Sequence, residues 1–211
     1  MTITPIRSKW KGTLTDRQRF NRQMHYQPVD RCFNMEFGYW DENFSEWPIF
    51  YEHGITNNEE ADLFFNFDRC PTIGAPVWMA PRFEERTVEL RERTRILINE
   101  DGLLAEVPLD KHDTIPHFIR ASIVTPDDWA KVKAERFRLD DPRRVVDIEA
   151  LKRQHPLDRD YPLGIDTGSM IGKIRDMLTF EGLAYATHDY PAMVEDMVET
   201  ACQLVEQELD Q

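Results

Sequence analysis

The stretch YPLGIDTGSMIGKIRDML, residues 161–178, settles the fold class. Tyr161 to Asp166 is a short, largely apolar run of the kind that forms a strand. TGSMIGKIRDML follows at once, so a glycine-bearing turn sits between strand and helix. Strand, turn and helix in that order are the unit of α/β architecture, and in α/β barrels the strand C-termini carry the active-site loops. Glycines there let backbone N–H groups approach an anion. Yet Gly164, Gly168 and Gly172 do not make G-x-G-x-x-G, and no GKS or GKT follows. The better reading is a tight turn in which Ser169 caps the helix.

Downstream, Pro191 starts the clearest helix of the chain. Met193, Val194, Met197, Val198, Ala201, Leu204, Val205 and Leu209 form one apolar stripe, and acidic or amide residues fill the other side, with Glu208 the exception. A stripe this apolar needs something to pack against. Upstream, Thr125-Pro126-Asp127-Asp128 opens another helix: Thr as N-cap, Pro in the first turn, acids against the dipole.

Between residues 88 and 107 the period changes to two. Val88, Leu90, Thr94, Ile96 and Ile98 read as one strand face and Arg91, Arg93 and Arg95 as the other. Asn99-Glu100-Asp101-Gly102 is a turn, after which Leu103, Ala105 and Val107 resume. That pattern predicts an antiparallel hairpin with one wet face. The hairpin also excludes the all-helical fold that His-Asp pairs at 112–113 and 188–189 would otherwise suggest.

Nearer the N-terminus, Thr15 and Gln18 fit a capping box for a helix from Asp16 to His25, halted before Pro28. CFNMEFGYW, residues 32–40, suits a buried strand. FSEWPIFYEHG then reads as a helix stopped at Gly54, and NNEEADLFFNFD, residues 57–68, as another. Residues 1–14 are polar and read as a loose lead-in.

The 211 residues suffice for one sizeable core without disulfides or a structural metal. Five Trp, six Tyr and twelve Phe supply more core material than a disordered chain carries. A net charge of −13 repels a phosphate backbone, so nucleic acid is a poor partner. No apolar run approaches the roughly 20 residues of a membrane span, and the N-terminus lacks the apolar core of a signal peptide. Cys32, Cys70 and Cys202 stand far apart, which fits a reduced, cytoplasmic chain.

Other constellations favour structural readings. His112, Asp113 and His117 lack the spacing of metal ligands on one helical face, and Ile115-Pro116 argues for extended chain. Glu36, Asp41 and Glu42 could do acid–base work, but they also suit the start of the next helix. Arg82 with Glu84 and Glu85 reads as a surface ion network. Met35, Phe37, Trp40 and Trp78 read as core.

Several segments taken together resemble uroporphyrinogen decarboxylase family proteins, which include the cobalamin-linked methyltransferases of the same fold. They are RQRFNRQMHYQPVDRCFNMEFGYWDE, EWPIFYEHG, LFFNFDR, PRFEER, TIPHFIRASIVTPDDW and YPLGIDTGSMIGKIRDMLTFEGLAYATHDYPAMVEDM. Their order and spacing span residues 15–210. The resemblance implies a (β/α)8 TIM-type barrel with its site at the strand C-termini. Such a barrel takes about 250 residues or more, so residues 15–211 would be its N-terminal portion, with 88–107 an inserted hairpin.

The resemblance also implies site residues. Asp68, in N-F-D-R, matches the catalytic aspartate of the decarboxylase branch. The strand end at Glu36, Phe37, Tyr39 and Trp40 would line the substrate pocket, with the Gly168-Ser169 turn and Arg175 beside it. Arg175 falls where that branch has a tyrosine. Glu36 stands where its arginine-rich motif begins, and a carboxylate there repels an octa-anionic porphyrinogen. A smaller substrate of the corrinoid-linked methyl-transfer branch fits better. The zinc ligands of that branch, a His-x-Cys pair and a later Cys, would lie in the C-terminal half, so no metal ligand is assigned to this chain. The implied partners are a small-molecule substrate and a corrinoid protein, a second copy or a C-terminal half-barrel chain. The alternative is a non-catalytic half that pairs with such a chain, or a truncated inactive product. Either half would leave the stripe of the last helix uncovered.

Overall fold

A computed structural model describes residues 3–109 and 116–211. In chain order its helices are α1 (Asp16–Met24), α2 (Asp41–Glu46), α3 (Pro48–Tyr51), α4 (Asn58–Phe65), α5 (Pro126–Arg136), α6 (Ile148–Gln154), α7 (Met170–Leu178), α8 (Phe180–Asp189) and α9 (Pro191–Leu209). The strands are β1 (Thr72–Gly74), β2 (Arg86–Leu90), β3 (Thr94–Ile98), β4 (Leu104–Pro108), β5 (His117–Arg120) and β6 (Gly164–Asp166). The fold is thus mixed α/β. Among the described residues the strands make a β1–β6 pair and a four-stranded sheet, with no closed barrel. The chain divides into two compact units, residues 1–73 with 149–165 and residues 74–148 with 166–211.

In the first unit, α1 begins as its sequence dictates. The Thr15 hydroxyl accepts from Gln18 N at 3.1 Å, and the Gln18 side chain accepts from Thr15 N at 3.1 Å. Residues 32–40 are a correction: they form no strand. Instead of a neighbouring strand, side chains satisfy this backbone. Asn34 N donates to the Asp68 carboxylate at 2.9 Å and Tyr39 N to Asn58 Oδ1 at 2.6 Å. Gly38 breaks the run with φ +136°. Met35, Phe37 and Trp40 are consequently exposed rather than core, Phe37 completely so.

Phe44, Phe50, Ile55, Ala61 and Phe64 form this unit's core, with Tyr39 and Phe65 packed against it. The lead-in is tied down rather than loose: Ile6 N donates to the Phe64 carbonyl at 2.8 Å and Arg7 Nε to that of Phe65 at 3.1 Å. Asp41 and Glu42 occupy the first turn of α2, where the helix dipole favours them.

In the second unit, β2 to β5 form an antiparallel meander. The expected single strand over residues 88–98 is two strands, because the chain reverses at 91–93 and Arg91 N donates to the Thr94 carbonyl at 2.8 Å. No glycine or proline marks that reversal. The turn at 99–102 is where the sequence puts it. Gly102 there has φ +81°, and a Cβ would lie 2.9 Å from the Phe83 ring. Ile96 and Leu97 are adjacent in β3 yet both buried, so neither face is wet at the centre of the sheet. His112 and Asp113 lie outside the described residues, and His117 is exposed at the start of β5.

Helices α5, α7, α8 and α9 enclose this unit's core. Met193, Met197, Ala201 and Leu204 of α9 are buried with Ile174, Met177, Trp78 and Trp129. The stripe expected to lie open is therefore covered, apart from its far end at Leu209, which is exposed. Lys133 and Trp129 of α5 both donate to Asp196 of α9, at 2.7 Å each. Arg144 is almost fully buried and donates to four carbonyls: Pro76, Trp78, Arg136 and Arg138, at 2.6–3.1 Å. Among the described residues no helix is long and apolar enough to cross a membrane.

Candidate functional site

The first unit carries a cleft of about 530 Å³, lined by residues that include Glu59, Asp62, Phe67, Asp68, Arg69 and Cys70. That volume is in the range of small-molecule sites. Helix α4 supplies the first two residues. Asn66, in the left-handed conformation at φ 56°, ends it, and residues 67–70 after it complete the lining with Pro71 and Thr72.

Asp68 is the most tightly held carboxylate of the cleft. Arg31 donates to both its oxygens, Nη1 to Oδ2 at 2.5 Å and Nη2 to Oδ1 at 2.7 Å. Asn34 N donates at 2.9 Å, and the Lys9 ammonium stands 3.3 Å away. Burial alone would raise its pKa. The hydrogen bonds from Arg31 and Asn34 and the nearby positive charges outweigh it, holding the carboxyl well below the usual carboxylate range. At neutral pH, Asp68 therefore has no proton to give. It is a fixed anion.

Arg31 belongs to a longer ion-pair network. Arg19, almost wholly buried, donates to both oxygens of Asp30 at 2.9 and 3.0 Å and to Asp16 at 3.2 Å. Lys9 bridges Asp16 and Asp68 at 2.7 and 3.3 Å. The P-V-D-R and N-F-D-R segments thus meet in one network, in which Asp30, Arg31 and Asp68 each face an opposite charge.

Asp62 differs. Although its side chain meets solvent, desolvation by neighbouring protein, then the charges of Glu36 and Glu59, raise its pKa. The Tyr39 phenol is raised by burial, then by Glu36 and Asp62. Glu36 and Tyr39 therefore share an anionic neighbourhood with the α4 side of the cleft. Asp62 is the carboxylate there whose charge its surroundings disfavour. Burial also raises Cys70, which keeps it a thiol rather than a reactive thiolate. Arg69 stacks on the Tyr161 ring, its guanidinium carbon 3.6 Å from the centroid.

Of the residues the sequence singles out, Asp68, Glu36, Phe37, Tyr39 and Trp40 belong to the first unit. Phe37 and Trp40 are exposed and Tyr39 packs into the aromatic core, 4.9 Å from Phe50. Gly168, Ser169 and Arg175 belong to the second unit. Ser169 caps α7, accepting from Gly172 N at 3.1 Å, and Gly168 (φ +73°) donates to Asp166 at 2.8 Å. The recess beside this turn measures about 90 Å³, room for a few waters rather than a phosphate-bearing cofactor. Arg175 is exposed and donates to its neighbour Asp176 at 2.9 Å.

Sequence reasoning missed Asp62 and the network partners. Asp62 looks like any acid on a helix, and nothing local shows that Glu36 and Glu59 surround it. Arg31 stood inside a quoted motif, but its pairing with Asp68 spans too much chain to see. Among the described residues no three His, Cys, Asp or Glu side chains come together to hold a metal ion. No family model, curated protein or solved structure matches the chain.

Proposed function

We propose that the chain is the N-terminal portion of a uroporphyrinogen decarboxylase-like barrel protein and that the intact form is a small-molecule enzyme. The observation that supports this most is the Arg31–Asp68 pair, which makes one structural unit of two segments that carry the resemblance. The strand β6, glycine turn and capped α7 supply one strand–turn–helix unit of the kind a barrel repeats.

Within that family, the charge of the cleft favours corrinoid-linked methyl transfer over porphyrinogen decarboxylation. Among the described residues of the lining, Glu59, Asp62 and Asp68 outnumber the single cation Arg69, which disfavours a polyanion, and the Arg31 guanidinium is occupied by Asp68. The described residues do not fit zinc, so no step is assigned to that metal or to a corrinoid. The chain's own groups divide the work: Asp68, locked against Arg31, holds the cleft wall in position, and Asp62, whose neighbours disfavour its charge, is the candidate for proton transfer. Exposed Met35, Phe37 and Trp40 favour packing against the C-terminal half of that barrel.

The test is an activity comparison in the intact protein, read from the transcript past the codon for Gln211. Both methyl transfer to a cobalamin and CO₂ release from uroporphyrinogen are measured for the wild type and for Asp68→Asn. We expect the first activity and a large loss in the variant. A stop codon at that point, or full activity in Asp68→Asn, overturns the corresponding part of the reading.

A further inference from the structure

We propose that a groove along α8, in the second unit, binds a small organic cation with an apolar body. The groove encloses about 430 Å³, within the range of small-molecule sites. Its floor is apolar, with Ile123, Leu178 and Ala186 all buried. Two tyrosines line it, Tyr185 and Tyr190, and both are exposed, so their rings are open to a ligand.

The charges decide what that ligand is. The only ionised side chains in the lining are Glu181 and Asp189, and no Lys, Arg or His lines the groove among the described residues. Glu181 has no hydrogen-bond or ion-pair partner among those residues. Among the described residues Asp189 is held by His188 alone, whose Nδ1 lies 2.9 Å from its Oδ1. Asp189 also ends α8, where the last carbonyls of the helix add negative potential. An anion is repelled from such a groove. A neutral apolar ligand would fit the floor but would strip water from two carboxylates and return nothing. A quaternary or primary ammonium on an apolar body satisfies all three parts: floor, tyrosine faces and carboxylates.

The chain path that opens the groove is unusual. Thr179, between α7 and α8, sits at φ 66° and ψ 169°, a region that glycine normally occupies. Its hydroxyl accepts from Gly182 N at 3.2 Å and so caps α8. Gly182, beside Glu181 in the first turn of α8, adds no side chain to the groove wall. This inference does not depend on the function proposed above, since every residue in it belongs to the second unit.

The test is a ligand titration of the whole chain followed by NMR. The probes are benzyltrimethylammonium, benzyl alcohol and benzoate, which share the ring and differ in charge. We expect saturable binding of the cation with shifts in the Tyr185 and Tyr190 ring resonances. Benzyl alcohol should bind about fivefold more weakly and benzoate more weakly still, as expected where cation–π and carboxylate contacts decide. Tyr185→Ala and the double variant Glu181→Gln/Asp189→Asn should each weaken the cation about fivefold. All three positions are exposed, and circular dichroism is the check that the variants fold. Equal affinity for the three probes, affinity unchanged in both folded variants, or no saturable binding overturns the proposal.

Discussion

Arg31 grips Asp68 through both terminal guanidinium nitrogens, at 2.5 and 2.7 Å, and the Asp68 side chain is nearly sealed from solvent. The pair joins the segment before residues 32–40 to the one that follows α4. It fixes the ends of a stretch that has no sheet of its own. Charges this buried are costly to separate, because the partner left behind loses its compensation and cannot recover water.

Arg31→Gln should therefore lower unfolding free energy by about 3 kcal/mol. Guanidinium chloride denaturation at pH 7 measures it. A change below about 1 kcal/mol would place the pair among exposed salt bridges, which contribute little.

The same pair predicts a pH dependence. Asp68 in the folded chain ionises below the usual carboxylate range, whereas in the unfolded chain it titrates near pH 4. A depressed folded pKa stabilises the fold above the unfolded value, and this stability is lost as the pH falls towards the folded one. The deficit of Arg31→Gln should then be largest above about pH 5 and should shrink by pH 3. Denaturation curves of both proteins at pH 7, 5 and 3 check this. A deficit that stays constant across the series would show that Arg31 acts through packing alone.

What the sequence made legible was local. The box at Thr15, the Thr125 and Ser169 caps, the Asn99–Gly102 turn and the α9 stripe all rest on residues a few positions apart, and each is present. Residues 32–40 failed because apolar composition says nothing about whether a strand has a neighbour. Here Asn58 and Asp68, far along the chain, take the place of one. The split of 88–98 was hidden because Arg91-Glu92-Arg93 carries no turn signal. Arg19 and Arg144 were invisible as core for a different reason: arginine is rarely buried, and only their distant partners make it tolerable. The candidate site was legible to the same degree, Asp68 through a motif and Asp62 not at all.

Arg144 gives the sharpest test of that point. Its guanidinium serves four carbonyls at once, and burial lowers its pKa. Lysine has one nitrogen where arginine has three, so it cannot serve all four. Arg144→Lys should destabilise by about 2–3 kcal/mol, from carbonyls left buried without donors. Denaturation of the purified variant measures it, and a loss within about 0.5 kcal/mol of zero, as for a surface substitution, would refute the assignment.

Thr179 makes two opposing contributions that substitution can separate. Its hydroxyl caps α8, which is worth about 1 kcal/mol. Its backbone occupies a region that costs a residue with a Cβ about 1–3 kcal/mol and glycine far less. Thr179→Ala keeps the strain and loses the cap, so it should be about 1 kcal/mol less stable than the wild type. Thr179→Gly loses the cap but sheds the strain, and glycine at a cap position costs only a few tenths more than threonine. Its stability should match or exceed that of the wild type. The expected order in thermal melts is glycine, threonine, alanine. If glycine instead falls below alanine, the backbone at this corner is unstrained and the turn between α7 and α8 is held by the side chain alone.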